Sequence, residues 1–139
     1  MKKFLFLAVA IVITLSGLLG LSSCNRSKLP KGFKGEWTGQ LNRYDRIKLK
    51  IGDEDKFNLI VYQSRERYDS EYIGTAVKVS DDVIKLQSRT IINTYNSNRR
   101  ESDPTSRIGQ CTTCFFLKSN GAFSQSEYGL DNSMTYLSK

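Results

Sequence analysis

Ile47-Lys48-Leu49-Lys50-Ile51, the polar turn Gly52-Asp53-Glu54-Asp55, and Phe57-Asn58-Leu59-Ile60-Val61 decide the fold of this chain. Ile47, Leu49 and Ile51 alternate with Lys48 and Lys50, so an extended backbone puts one face in the core and the other in water. Phe57, Leu59 and Val61 repeat the alternation after a turn of hairpin length. Outward from this unit the rhythm persists. Ile73, Thr75, Val77 and Val79 read as a further apolar face, closed by the turn Ser80-Asp81-Asp82. Ile84 with Leu86, then Ile91-Ile92, Phe115 with Leu117, and Met134 with Tyr136 supply the later strands. From Gly35 onward no window carries a sustained helical period. Eight or nine short strands joined by tight turns predict an all-β domain, and a small antiparallel up-and-down barrel of about eight strands removes the exposed edges. Asn93 to Gln110, rich in Asn, Ser and Arg, reads as a long mobile loop.

Gly35-Glu36-Trp37-Thr38-Gly39 precedes this series. It resembles the G-x-W signature at the first strand of lipocalins, which implies a lipocalin-like barrel with Trp37 packed across one end. Gly35 and Gly39 then allow close backbone approach beside the indole. Lipocalins stack a late arginine on that tryptophan. This chain has no arginine after Arg107, leaving Lys118 or Lys139 as partial substitutes. Because the strands are short, a filled interior is expected. Should a cavity exist, Phe57, Tyr62, Tyr72 and Phe115 are the candidate lining, and the ligand is unassigned.

The N-terminal segment has a different origin. Lys2 and Lys3, an apolar run from Phe4 to Leu15, and small residues before Cys24 form a secretory signal over residues 1–23. Leu21-Ser22-Ser23-Cys24 resembles the lipobox of bacterial lipoproteins, which implies that Cys24 becomes the first mature residue and carries lipid. Asn25-Arg26-Ser27-Lys28 contains neither an inner-membrane retention aspartate nor an acidic surface-export run. By that resemblance the address is the cell envelope, as an outer-membrane lipoprotein facing the periplasm. Residues 24–34, with Pro30 and Gly32, read as a lipidated tether, and 35–139 as the barrel domain.

Removing residues 1–23 leaves 116 of the 139 residues, enough for one core. The formal charge of +7 falls to +5, because Lys2 and Lys3 leave and no acid does. Arg43, Arg46, Arg65, Arg67, Arg99 and Arg100 recur near strand ends. They read as a scattered solvated surface, or as a patch toward anionic glycan or lipid. The address argues against nucleic acid. There is no histidine, so catalysis that needs an imidazole base is excluded. The acids Asp53, Glu54, Asp55, Asp81, Asp82 and Asp103 read as solvated turns without calcium-loop spacing. We expect no enzyme, no cofactor and no metal site, and a monomer.

Cys111-Thr112-Thr113-Cys114 is the sharpest internal motif. A disulfide between Cys111 and Cys114 in an oxidising compartment is the first reading. Copper(I) binding by two thiolates and redox signalling stay open beside it. The lipobox, the small barrel and the C-x-x-C are together similar to the N-terminal domain of the NlpE envelope-stress lipoproteins, which implies an envelope metal or redox sensor as the alternative function. Ser119-Asn120-Gly121-Ala122-Phe123 resembles the small-residue loop of membrane-bound lysozyme inhibitors, a further alternative, although Asn-Gly at that place reads first as a hairpin turn. The leading expectation is a non-enzymatic, lipid-anchored binding or accessory protein, with a small apolar ligand or an envelope protein as partner.

Overall fold

A computed structural model describes residues 28–66, 68–95 and 107–139. The signal segment, Cys24, Arg67, Arg99, Arg100 and Asp103 lie outside the described residues. Among the described residues nine strands follow one another: β1 (Gly35–Gln40), β2 (Arg46–Ile51), β3 (Lys56–Tyr62), β4 (Tyr68–Lys78), β5 (Val83–Tyr95), β6 (Arg107–Gln110), β7 (Cys114–Lys118), β8 (Ala122–Ser124) and β9 (Thr135–Ser138). Every pairing is antiparallel. The sheet closes because β1 pairs with both β2 and β9 while β4 pairs with β5. Eight strands make the barrel, and β6 is an additional strand on the far half of β5. The expected architecture is therefore the observed one.

The alternation that predicted β2 and β3 sets their register. Ile47, Leu49 and Ile51 lie opposite Val61, Leu59 and Phe57, and all six are buried. The inward rows continue through Ile84 and Leu86 on β5, Phe115 and Leu117 on β7, and Leu137 on β9. Two faces read from sequence are inverted. On β4 the buried residue is Ala76, whereas Ile73, Val77 and Val79 are exposed. On β9 Thr135 and Leu137 point inward, whereas Met134 and Tyr136 are exposed. A period of two fixes alternation but not which parity faces the core, and a shift of one residue exchanges the faces.

The β4–β5 ladder changes register at Ile73/Gly74. A Cβ at Gly74 would stand 1.9 Å from the Gln87 carbonyl oxygen, so the two backbones approach there at a distance only glycine permits. Beyond this bulge the far half of β4 stays in the barrel wall, paired with β3 from Ser70 to Ile73, while the far half of β5 pairs with β6. The 93–110 stretch is shorter as a loop than expected. β5 runs to Tyr95 and β6 begins at Arg107, while 96–106 lies outside the described residues.

The two ends of the barrel differ. At one end lie the tight β2–β3, β4–β5 and β7–β8 turns, and residues 28–34 seal it. Leu29 and Phe33 are buried in the core, and Lys28 N donates to Asp55 Oδ2 at 2.9 Å. The tether expected over 24–34 is corrected accordingly: from Lys28 onward this segment is a plug, because two apolar side chains four residues apart cover the end of the barrel. At the other end the β1–β2, β3–β4 and β8–β9 connections surround an open mouth.

Candidate functional site

The closed end is organised around Trp37. Its indole is 6% exposed, its Nε1 donates to the Phe33 carbonyl at 2.8 Å, and the Phe33 ring lies 6.5 Å away. Lys139 Nζ stands 5.0 Å from the indole centroid and donates to the Lys34 carbonyl at 2.6 Å. Of the two lysines expected near this indole, Lys139 is the one that reaches it, while Lys118 pairs with Asp131. A Cβ at Gly39 would lie 2.5 Å from the Tyr136 carbonyl oxygen, so this glycine permits the β1–β9 closure. Gly35 opens β1 with φ +115, beside the Lys139 side chain. Gly35 and Trp37 thus lie toward the closed end, whereas Gly39, opposite Ile47 of the cavity wall, lies toward the mouth.

The open end holds a cavity of about 590 Å³. Ile47, Val61, Tyr72, Phe115 and Phe123 form its apolar wall and floor. Tyr72 meets Phe115 edge-on at 5.1 Å, and Phe115 stacks on Phe123 at 5.6 Å. Below this aromatic layer Leu49, Leu59, Ile84, Leu86 and Leu117 are fully buried. The filled interior expected from sequence is therefore true of the closed half only. The mouth stays open because β8 has only three residues and the long β8–β9 connection folds over one side instead of filling the middle. Of the four aromatics named from sequence, Tyr72 and Phe115 line the cavity. Phe57 is packed in the core, and Tyr62 faces outward beneath the Arg46 guanidinium.

Polar groups ring the mouth: Gln63, Ser70, Ser124, Gln125, Asn132, Ser133 and Thr135. Several are already satisfied. Ser70 Oγ donates to Asn93 Oδ1 at 3.0 Å, and Ser133 Oγ donates to the Phe123 carbonyl at 2.6 Å while accepting from Thr135 N at 3.2 Å. Gln125 and Asn132 are exposed, and their side-chain amides make no hydrogen bond to another described residue. Leu41 and Met134 add exposed apolar surface at the rim. Burial pushes the Tyr72 hydroxyl above its ordinary pKa, the nearby Cys111 sulfur adds to this, and the hydrogen bond with Ser70 opposes it. The phenol is a neutral group at physiological pH. Of the lining, only Tyr72 and Phe115 were legible as such, because Phe123 reads as part of a hairpin and Gln63, Gln125, Asn132 and Ser133 look like ordinary turn residues in sequence.

Cys111 and Cys114 flank the break between β6 and β7. Cys111 Sγ lies 3.2 Å from Ser88 Oγ, which itself donates to the Thr113 carbonyl at 2.6 Å. Ser88 is buried in the inward row of β5, so Cys111 points inward. Cys114 precedes the inward Phe115 on β7, and its sulfur points outward toward the Thr112 carbonyl. Both thiols are free, and the disulfide expected between them is not formed. Side chains on opposite faces of the wall do not bring their sulfurs together. No group of three or more metal-ligating side chains occurs among the described residues.

Ser119 to Phe123 is the β7–β8 hairpin at the closed end. Gly121 N donates to the Lys118 carbonyl at 2.8 Å, and Ala122 and Phe123 are buried. Only Ser119 and Asn120 of this turn are exposed. Asp53, Glu54, Asp81 and Asp82 are exposed turn acids, three of them in surface ion pairs with Lys34, Lys56 and Lys78. Of the arginines named from sequence, two among the described residues lie over aromatic rings: Arg65 is 3.6 Å from the Tyr44 ring centroid, and Arg46 lies over Tyr62. No family model matches the chain, and no curated protein or solved structure matches it either.

Proposed function

We propose that this chain is a lipid-anchored, non-enzymatic binding protein of the bacterial cell envelope that receives a small ligand in the barrel mouth. The observation that carries the reading is the cavity of about 590 Å³ above a sealed, fully packed half. That volume lies inside the range of about 300–1,000 Å³ in which small-molecule sites fall, and an apolar floor with a few polar groups at the rim is their usual composition. The lining has no histidine, carboxylate or lysine to activate a nucleophile, which supports binding over catalysis.

The lipobox-like Leu21-Ser22-Ser23-Cys24 supports anchoring through Cys24, in the outer membrane and facing the periplasm. Only Asn25, Arg26 and Ser27 separate Cys24 from Lys28, a span of at most about 14 Å of extended chain. Lys28 belongs to the plug. An anchored barrel therefore rests its sealed end near the bilayer and turns its mouth away from it.

Two measurements test this. In the native host, Cys24→Ser should abolish labelling by radioactive palmitate. Purified domain 28–139 should enhance the fluorescence of the neutral dye N-phenyl-1-naphthylamine with one-site saturation, and Gln63→Trp, which fills the mouth, should weaken that binding at least tenfold. Absence of saturable dye binding by the wild-type domain contradicts the binding role, and persistence of labelling contradicts the anchor.

A further inference from the structure

Ligand chemistry is written in what the cavity lacks as well as in what it offers. Its lining contains amides, hydroxyls and hydrocarbon, and no Lys, Arg, Asp or Glu among the described residues. The one titratable side chain in it, Tyr72, is held protonated by burial. We infer that, given the binding role proposed above, the mouth selects an uncharged amphiphile: an apolar tail lying on the Tyr72–Phe115–Phe123 layer and a hydroxyl- or amide-bearing head at Gln125 and Asn132.

The physical grounds are asymmetric costs. An ionised carboxylate or ammonium drawn into such a site loses water and gains no opposite charge, and an unpaired buried charge is far more costly than a paired one. A hydroxylated or amide head meets groups able to both donate and accept. Gln125 and Asn132 have donors and acceptors to spare, because neither amide is committed elsewhere among the described residues. Among the described residues of the β3–β4 connection, Arg65 is laid against Tyr44 and does not line the cavity. The tail must be short, because the fully buried Leu49, Leu59 and Leu117 stop the cavity half-way down the barrel.

The test compares three ligands with one tail: 1-monodecanoylglycerol, decanoate and decyltrimethylammonium, titrated calorimetrically into domain 28–139 at pH 8 and below their micelle concentrations. The monoglyceride should bind at least tenfold more tightly than either ion. Gln63→Arg, which adds a cation to the rim, should raise the affinity for decanoate relative to that for the monoglyceride at least tenfold. Equal or tighter binding of either ion by the wild-type domain overturns the inference and leaves the binding role standing. So does failure of all three when N-phenyl-1-naphthylamine still binds in the mouth. Failure of the dye together with all three ligands overturns the binding role itself.

Discussion

Trp37 shows how one side chain can seal a barrel. Its ring is held by a hydrogen bond to Phe33, by the Phe33 ring and by the Lys139 ammonium. Trp37→Ala should lower stability by about 3–5 kcal/mol in urea unfolding, the usual cost of deleting a large buried aromatic. Lys139→Met should cost no more than about 1 kcal/mol, the scale of an exposed cation–π contact. Tyr72 gives a pH signature. Burial raises its pKa in the folded state, so above about pH 10 an unfolded tyrosine ionises while the folded one keeps its proton. The unfolded state then binds fewer protons, and stability falls as pH rises through that window. The urea midpoint should drop from pH 9.5 upward in the wild type, and Tyr72→Phe should make the drop shallower. Trp37 was legible in sequence because a lone indole between two glycines is distinctive. Leu29 and Phe33 were not, because Pro30 and Gly32 dominate the local composition and the partners that bury these two side chains are distant in sequence.

Among the strands, β2 and β3 were readable because strong alternation on both sides of a short turn leaves one sensible register. β4 was readable as a strand, but its faces were not. Ile73, Val77 and Val79 outweigh Gly74 and Ala76 in hydropathy, yet the smaller residues face inward where β4 and β5 approach most closely. The inward parity was set by fit, which a single sequence does not display. The bulge gives a direct check. Gly74→Ala places a Cβ against the Gln87 carbonyl and should destabilise the domain by about 1–3 kcal/mol, the cost of forced overpacking, whereas Gly109→Ala, whose Cβ meets only the Ile91 side chain at 3.6 Å, should be nearly neutral. The C-x-x-C motif was also legible, but its pairing was not. The break at Cys111–Thr113, bonded to Ser88 and Arg89 across the sheet, keeps the two sulfurs on different faces.

For the whole molecule, the closure of eight strands follows from the strand count and the tight turns. The asymmetry of its ends does not, because the mouth is built from loop residues with no periodicity and from the shortness of β8. This asymmetry gives the anchored protein a direction. On liposomes, the acylated full mature chain with a fluorophore at Asp81, in the sealed-end turn, should be strongly quenched by a bilayer-embedded quencher. A fluorophore at Tyr128, 91% exposed in the β8–β9 connection, should not. The binding role itself is tested most directly by an amide chemical-shift titration of the ¹⁵N-labelled domain with N-phenyl-1-naphthylamine. Saturable shifts should concentrate at Val61, Gln63, Tyr72, Phe123 and Ser133, and leave Phe33, Trp37 and Ile51 unmoved. Shifts centred on the sealed end, or none at saturating ligand, would contradict a binding site in the mouth.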